Sequence, residues 1–352
     1  MKIATMMLVV VTMSGAAVAQ ERPEPTGKAA AAAAPDLSPL VAEVDINVPP
    51  AQVWDVFSTE EGWKKMGVAQ VKLDLRPGGK VLSHYDPKGT LGDDATINNE
   101  VIAYDPGHMF AFRISKPPKN FPFMKSFQSV WSVVTITDLG NGKTHLRLAQ
   151  NGYTADEESK KMRAFFAQGN QWVLDKLKKN LEGAEVKKEA EKVVAADPLA
   201  PIVLESVINA MPADVWAMWT TSEGMKRLVA DARIELRPGG AFELIFGKEA
   251  PEGKRGSEGC TVLSYEPGSM LSFSWNAPPQ FAYAREKHTW VVVRIEAHGA
   301  HGSKVTLKHY GFTEQAADGP EHAEEWKKTR AYFAAAWPKL TGGMKAVLEE
   351  KK

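Results

Sequence analysis

Apolar and polar positions alternate from Leu40 to Ile46, and the alternation returns from Ile202 to Ile208. Each run predicts a strand with one buried face. Pro50 and Pro212 follow, and proline is well placed in the first turn of a helix. Short helices are therefore predicted over Ala51–Phe57, with Val53, Trp54 and Phe57 on one side, and over Pro212–Trp219. A second short helix starts at Ser58 or Thr59, an N-cap candidate with Glu60 and Glu61 in the first turn. Further strands are predicted at Val71–Leu75, Lys80–Tyr85, Ala95–Tyr104, Met109–Ile114, Phe127–Thr137 and Lys143–Asn151. A long helix then runs from about Asp156 to Leu181, where Phe165, Phe166, Val173, Leu174, Leu177 and Leu181 recur at helical spacing.

The second half repeats this order. Strands are predicted at Ala232–Leu236, Ala241–Phe246, Gly259–Tyr265, Met270–Trp275, Thr289–Ala297 and Lys304–Tyr310. The last helix spans about Glu321 to Glu350, with a kink expected at Pro338 and a weak point at Gly342-Gly343. The repeat is literal in places. Leu75-Arg76-Pro77-Gly78-Gly79 returns as Leu236-Arg237-Pro238-Gly239-Gly240, and Tyr104-Asp105-Pro106-Gly107 as Tyr265-Glu266-Pro267-Gly268. Pro-Gly-Gly between alternating runs is a tight reversal joining two strands. One domain has been duplicated, giving expected domains at 40–183 and 201–352 with a charged, alanine-rich linker at 184–200.

Composition refines this picture in three places. The chain has 352 residues, 44% hydrophobic and 24% charged, enough for two domains with their own cores. Formal net charge is +0 and no basic stripe is interleaved with aromatics, which argues against nucleic-acid binding. Cys260 is the only cysteine, so no intramolecular disulfide forms, and no neighbouring base activates the thiol. At the N-terminus, Lys2, the apolar run Ile3–Val11 and Ala17-Val18-Ala19 read as a cleavable export signal, cut near Ala19, with an uncleaved anchor as the alternative. The run is too short to span a membrane comfortably. The expected location is therefore secreted or periplasmic, with residues 20–39, rich in Pro and Ala, as a flexible tether.

The layout of strand, two short helices, six strands and a long helix resembles the START-like helix-grip (SRPBCC) superfamily. The closest branch is the one named after activators of the heat-shock chaperone ATPase. The residues that carry the resemblance are Pro50–Phe57 with Thr59–Gly62, Arg76–Gly79, Tyr104–Gly107 and Trp172 with Leu177. In the second half they are Pro212–Trp219, Arg237–Gly240, Tyr265–Gly268 and Trp337 with Leu340. The resemblance implies an α+β fold of tandem helix-grip domains, each a curved antiparallel sheet around its last helix, with a cavity between them. It implies fold more than function, since the superfamily includes lipid carriers, cyclases and chaperone co-factors.

Strand parity adds candidates for the concave faces. Val81, Ser83 and Tyr85 match Phe242, Leu244 and Phe246; Phe110, Phe112 and Ile114 match Leu271, Phe273 and Trp275. Leu146, Leu148 and Gln150 match Val305, Leu307 and His309. The ligand-contacting candidates are Tyr85, Phe110, Phe112, Trp131 and Gln150 in the first domain. In the second they are Phe242, Phe246, Phe273, Trp275, Trp290 and His309. Each face is either packed shut or open to a small hydrophobic molecule, lipid or aromatic. The loops Pro117–Met124 and Pro278–Tyr283 are read as a lid or docking edge, or as aromatics folded back on the sheet.

Little points to chemistry. His309 is the candidate acid or base, because it has no counterpart in the first domain. His298 and His301 on one hairpin tip are too few to hold a metal, and no phosphate loop or nucleophile elbow occurs. The leading expectation is an exported binding protein without a cofactor. The alternatives are a cyclase- or hydrolase-like enzyme in the second domain, and a co-chaperone with a protein partner.

Overall fold

A computed structural model describes residues 37–183 and 197–350, which form two compact units. The expected export signal, nearly all of the tether and most of the charged linker lie outside the described residues.

In the first unit the alternating run forms β1 (Leu40–Ile46), and Pro50 opens α1 (Pro50–Ser58). Thr59 caps α2 (Glu60–Lys65), its hydroxyl accepting the Gly62 N–H at 2.9 Å. Six strands follow: β2 (Gln70–Leu73), β3 (Lys80–His84), β4 (Ile97–Asp105), β5 (Met109–Lys116), β6 (Trp131–Gly140) and β7 (Lys143–Asn151). With β1 they form one antiparallel sheet in the order β1-β7-β6-β5-β4-β3-β2. β6 starts later than expected, because Ser126–Ser129 form a single 3₁₀ turn that folds Phe127 against Phe121. The long helix is α3 (Glu157–Glu182), capped by Asp156, whose carboxylate accepts the Ser159 N–H at 3.0 Å.

The second unit repeats the order with β8 (Ile202–Ile208), α4 (Pro212–Thr220) and α5 (Ser222–Met225). Then come β9 (Asp231–Ile234), β10 (Phe242–Ile245), β11 (Val262–Glu266) and β12 (Met270–Trp275). β13 (Thr289–His298) and β14 (Gly302–Tyr310) complete a five-stranded antiparallel sheet, β11-β12-β13-β14-β8. The β9–β10 ribbon is stitched to β11 by the Ala241–Thr261 bridge. Two short helices were not expected: α6 (Ala282–Glu286) inside the aromatic loop and α7 (Phe312–Asp318) after β14. The closing helix α8 (Ala323–Glu349) runs as one element with Pro338 inside it.

The repeated turns use their two glycines differently. Gly78 and Gly239 sit at φ of 80° and 75°, where a side chain is strained. Gly79 and Gly240 have no such φ, but a Cβ on either would lie 2.2 Å from a carbonyl oxygen, that of Asp74 or Glu235. Each turn then pairs with the next long strand: the Gly78 N–H donates to Val101 O and the Gly239 N–H to Val262 O, both at 2.8 Å. Arg76 and Arg237 pair with Asp74 and Glu235 beside them, at 2.9 and 2.6 Å on the surface.

Two further ties are duplicated that sequence comparison does not reveal. In each unit a first-turn glutamate of the long helix holds the loop after the fifth strand. Glu158 accepts the Lys125 N–H, and Glu325 accepts the Ala284 N–H, each at 2.9 Å. A last-turn glutamate holds the bend after the first strand. Glu182 accepts the Asn47 N–H and Glu349 the Asn209 N–H, each at 2.8 Å. The two glutamates have the same spacing in both helices, so Phe166 aligns with Phe333, Asn170 with Trp337 and Val173 with Leu340. This corrects the match of Trp172 with Trp337. Trp172 is 42% exposed on the outer side of α3, with the Lys176 ammonium 5.0 Å from its ring centroid.

Candidate functional site

Strand register settles which side chains face the long helix. In the first unit Phe112 lies opposite Ser132, and Ser132 opposite Gln150. Directly opposed residues share a face, and Gln150 meets α3, accepting the Asn170 Nδ2–H at 2.9 Å. Phe110, Phe112, Ile114, Leu148 and Gln150 therefore line the side covered by the helix. Val81 and Ser83 continue it by alternation along β3.

This face is most tightly packed at one end. Phe110 is fully buried, stacked on Phe57 at 5.9 Å and edge-on to Trp63 at 6.3 Å. Beyond it, Phe112, Ile114 and Leu148 on the sheet, and Phe166 and Val173 on α3, are only half-buried. Tyr85, just past the end of β3, keeps 46% of its surface accessible. Gly169, three residues after Phe166 and four before Val173, lies on their side of α3. A Cβ there would meet no atom within 4 Å.

Polar groups form the floor. Gln150 Oε1 accepts from both the Tyr153 hydroxyl and Asn170 Nδ2, each at 2.9 Å, while Nε2 donates to Ser132 Oγ at 3.4 Å. Buried Ser83 and Asn99 add a hydroxyl and a carboxamide. Burial holds the Tyr153 phenol well above its ordinary range. None of these groups changes charge near neutral pH.

The corresponding face of the second unit is closed. Phe242 stacks on Phe273 at 4.0 Å, Trp275 packs on Trp337 at 5.1 Å, and Phe333 lies beneath Trp337 at 6.2 Å. Phe242, Phe273, Trp275, Leu307, Phe333 and Trp337 are all buried. His309 lies among them with 0% exposure. Trp337 Nε1 can only donate, and it lies 3.0 Å from His309 Nδ1, so that nitrogen is unprotonated. The proton is then on Nε2, which donates to Thr289 Oγ1 at 2.7 Å; that hydroxyl donates onward to Trp275 O at 2.8 Å. Burial pushes the imidazole down to about 3. His309 is thus a neutral core residue with both nitrogens engaged, and it does not face a cavity as parity alone implied.

Three other candidates are corrected. Trp131 opposes Asn151, one residue out of phase with Ser132 and Gln150, so it faces the other side of the sheet, where Gly152 leaves room for its ring. Trp290 opposes Tyr310 on the outer face of β13 and stacks on it at 5.6 Å. Phe246 lies just past the end of β10 and is 53% exposed. Cys260 is buried, and burial pushes its thiol up to about 12, which removes thiolate character at neutral pH.

The first aromatic loop folds inward. Phe121 and Phe123 are buried, packing on Phe166 at 6.4 Å and Phe165 at 5.7 Å. In the second loop Phe281 packs edge-on to Tyr332, and Tyr283 stacks on His322 at 3.5 Å.

A surface groove of about 630 Å³ lies elsewhere in the second unit, lined by Met211, Asp214, Glu223, Arg227 and His301 among others. Most of these side chains are solvent-exposed, and Leu348 near the end of α8 also lines it. Among the described residues, no group of three or more His, Cys, Asp or Glu side chains is placed to hold a metal ion. No helix among them is long and apolar enough to cross a membrane.

Residues 40–182 match the family described as polyketide cyclase / dehydrase and lipid transport, and residues 209–349 match activator of Hsp90 ATPase homolog 1-like protein. Among solved structures the chain is similar to DynU16, a protein of the dynemicin biosynthetic locus, at 17% identity over 89% of this chain and 100% of that one, with a TM-score of 0.33. It is also similar to the di-domain ARO/CYC BexL of the BE-7585A pathway, at 13% identity over 88% and 98%, TM-score 0.33. The Aha1 dimer of Colwellia psychrerythraea matches at 15% identity over 42% and 98%, TM-score 0.34. No curated protein matches the chain.

Proposed function

Because the chain belongs to the START-like (SRPBCC) superfamily, with one domain in each half, we propose that it is an exported carrier of a small hydrophobic molecule. The ligand is held in the first domain, between the sheet and α3. The observation that carries this reading is the half-buried apolar face of Phe112, Ile114, Leu148, Phe166 and Val173. Each methylene a ligand buries there contributes about 0.8 kcal/mol before ordering costs. The floor supports carriage over catalysis: hydroxyl and carboxamide groups orient a ligand, and none of them exchanges a proton readily near pH 7. Native mass spectrometry of the chain incubated with palmitate, and separately with 2-naphthol, tests the reading. A bound adduct is expected with at least one of them, and its absence with both contradicts it. Export rests on Lys2, Ile3–Val11 and Ala17-Val18-Ala19. Its check is the N-terminus of the protein in an exported fraction, expected near Gln20; an intact Met1 in the cytosol contradicts it.

A further inference from the structure

Resting on that reading, we infer that the chain carries one ligand, not two, and that facing positions on sheet and long helix decide which domain is open. The duplicated glutamates align the two helices, so the facing residues can be compared one for one. Where the second domain has Phe242, Leu244, Trp275, Trp337 and Leu340, the first has Val81, Ser83, Ile114, Asn170 and Val173. Each replacement is smaller. The first domain is larger at Trp63 and Phe110, where the second has Met225 and Leu271, but those two rings pack together at the closed end, 6.3 Å apart. Towards the other end Phe112, Ile114, Leu148 and Val173 stay half-buried. The second domain fills that end with the Trp275–Trp337 pair and locks it by the Trp337-to-His309 hydrogen bond.

Asn170 is the specificity-determining residue of the helix. It is tied to Gln150, so it cannot swing away, and its short side chain ends where the Trp337 indole extends in the other domain. Beside it, Gly169 has an open approach for any added side chain.

The test counts bound 1-anilinonaphthalene-8-sulfonate on the full chain by fluorescence titration and native mass spectrometry. The wild type is expected to bind one probe per chain. Gly169→Leu grows into unoccupied space and removes a helical glycine, so its Tm is expected to hold or rise while probe affinity falls at least tenfold. The double variant Trp275→Ile/Trp337→Asn copies the first domain into the second and is expected to raise the count to two. A wild-type count of two, or unchanged affinity in folded Gly169→Leu, overturns this inference while leaving ligand binding intact. A wild-type count of zero overturns the ligand-binding reading itself, and with it the open first domain. Should the double variant fail to fold, the Gly169→Leu arm decides alone.

Discussion

Gly78 and Gly79 are adjacent in one turn, yet replacing them should fail for different reasons. Alanine at Gly78 meets a left-handed backbone with open space around it, a cost of about 1–2 kcal/mol. Alanine at Gly79 drives a Cβ to 2.2 Å from the Asp74 carbonyl oxygen, and the turn must move. Urea unfolding should rank Gly79→Ala as the more damaging, with Gly240→Ala above Gly239→Ala in the second copy. At His309 the relevant variable is pH. Its folded pKa of about 3 lies below the unfolded value of about 6.5, so the unfolded state takes up the extra proton. Stability is therefore full above about pH 6.5 and is lost as pH falls towards 3, by roughly 5 kcal/mol at about 1.36 kcal/mol per unit. His309→Gln, which copies Gln150, should flatten that part of the pH–stability curve; an unchanged slope contradicts the buried neutral imidazole. Strand parity placed His309 inward correctly. It could not show that inward, in this domain, means a space already filled by Trp337.

At the scale of elements, the long helices are held at both ends by glutamates that accept loop N–H groups. Glu158→Ala should release the loop that carries Phe121 and Phe123, seen as faster amide hydrogen exchange over residues 117–127 and unchanged exchange in the second domain. Uniform acceleration across both domains would instead mean global destabilisation. Most strands were legible because a two-residue period over five or more positions is a strong signal. Short helices were not: α6 has five residues, too few for a helical period, and it follows Pro278-Pro279, which reads as loop. Helix register was the more costly miss. Matching Trp172 to Trp337 by residue type shifted the comparison by two positions and hid the Asn170–Trp337 difference. Only the hydrogen bonds of the flanking glutamates correct it.

For the whole molecule, duplication was plain from Leu-Arg-Pro-Gly-Gly, because the turn is demanding enough to keep its residues in both copies. The division of labour between the copies was not. It lies in five size changes spread over two strands and a helix, and their effects add only once the chain is folded. Burial of Cys260 follows the same asymmetry. Its thiol should resist iodoacetamide at pH 8 in the native chain and react after denaturation, whereas native reactivity would mean the second domain opens. The central claim is that the first domain encloses an apolar space and the second does not. Crystals pressurised with xenon test it most directly, since a dry apolar cavity takes up the gas. The account predicts xenon density between α3 and β5–β7, beside Phe112 and Val173. Density absent there, or present between Trp275 and Trp337, would contradict it.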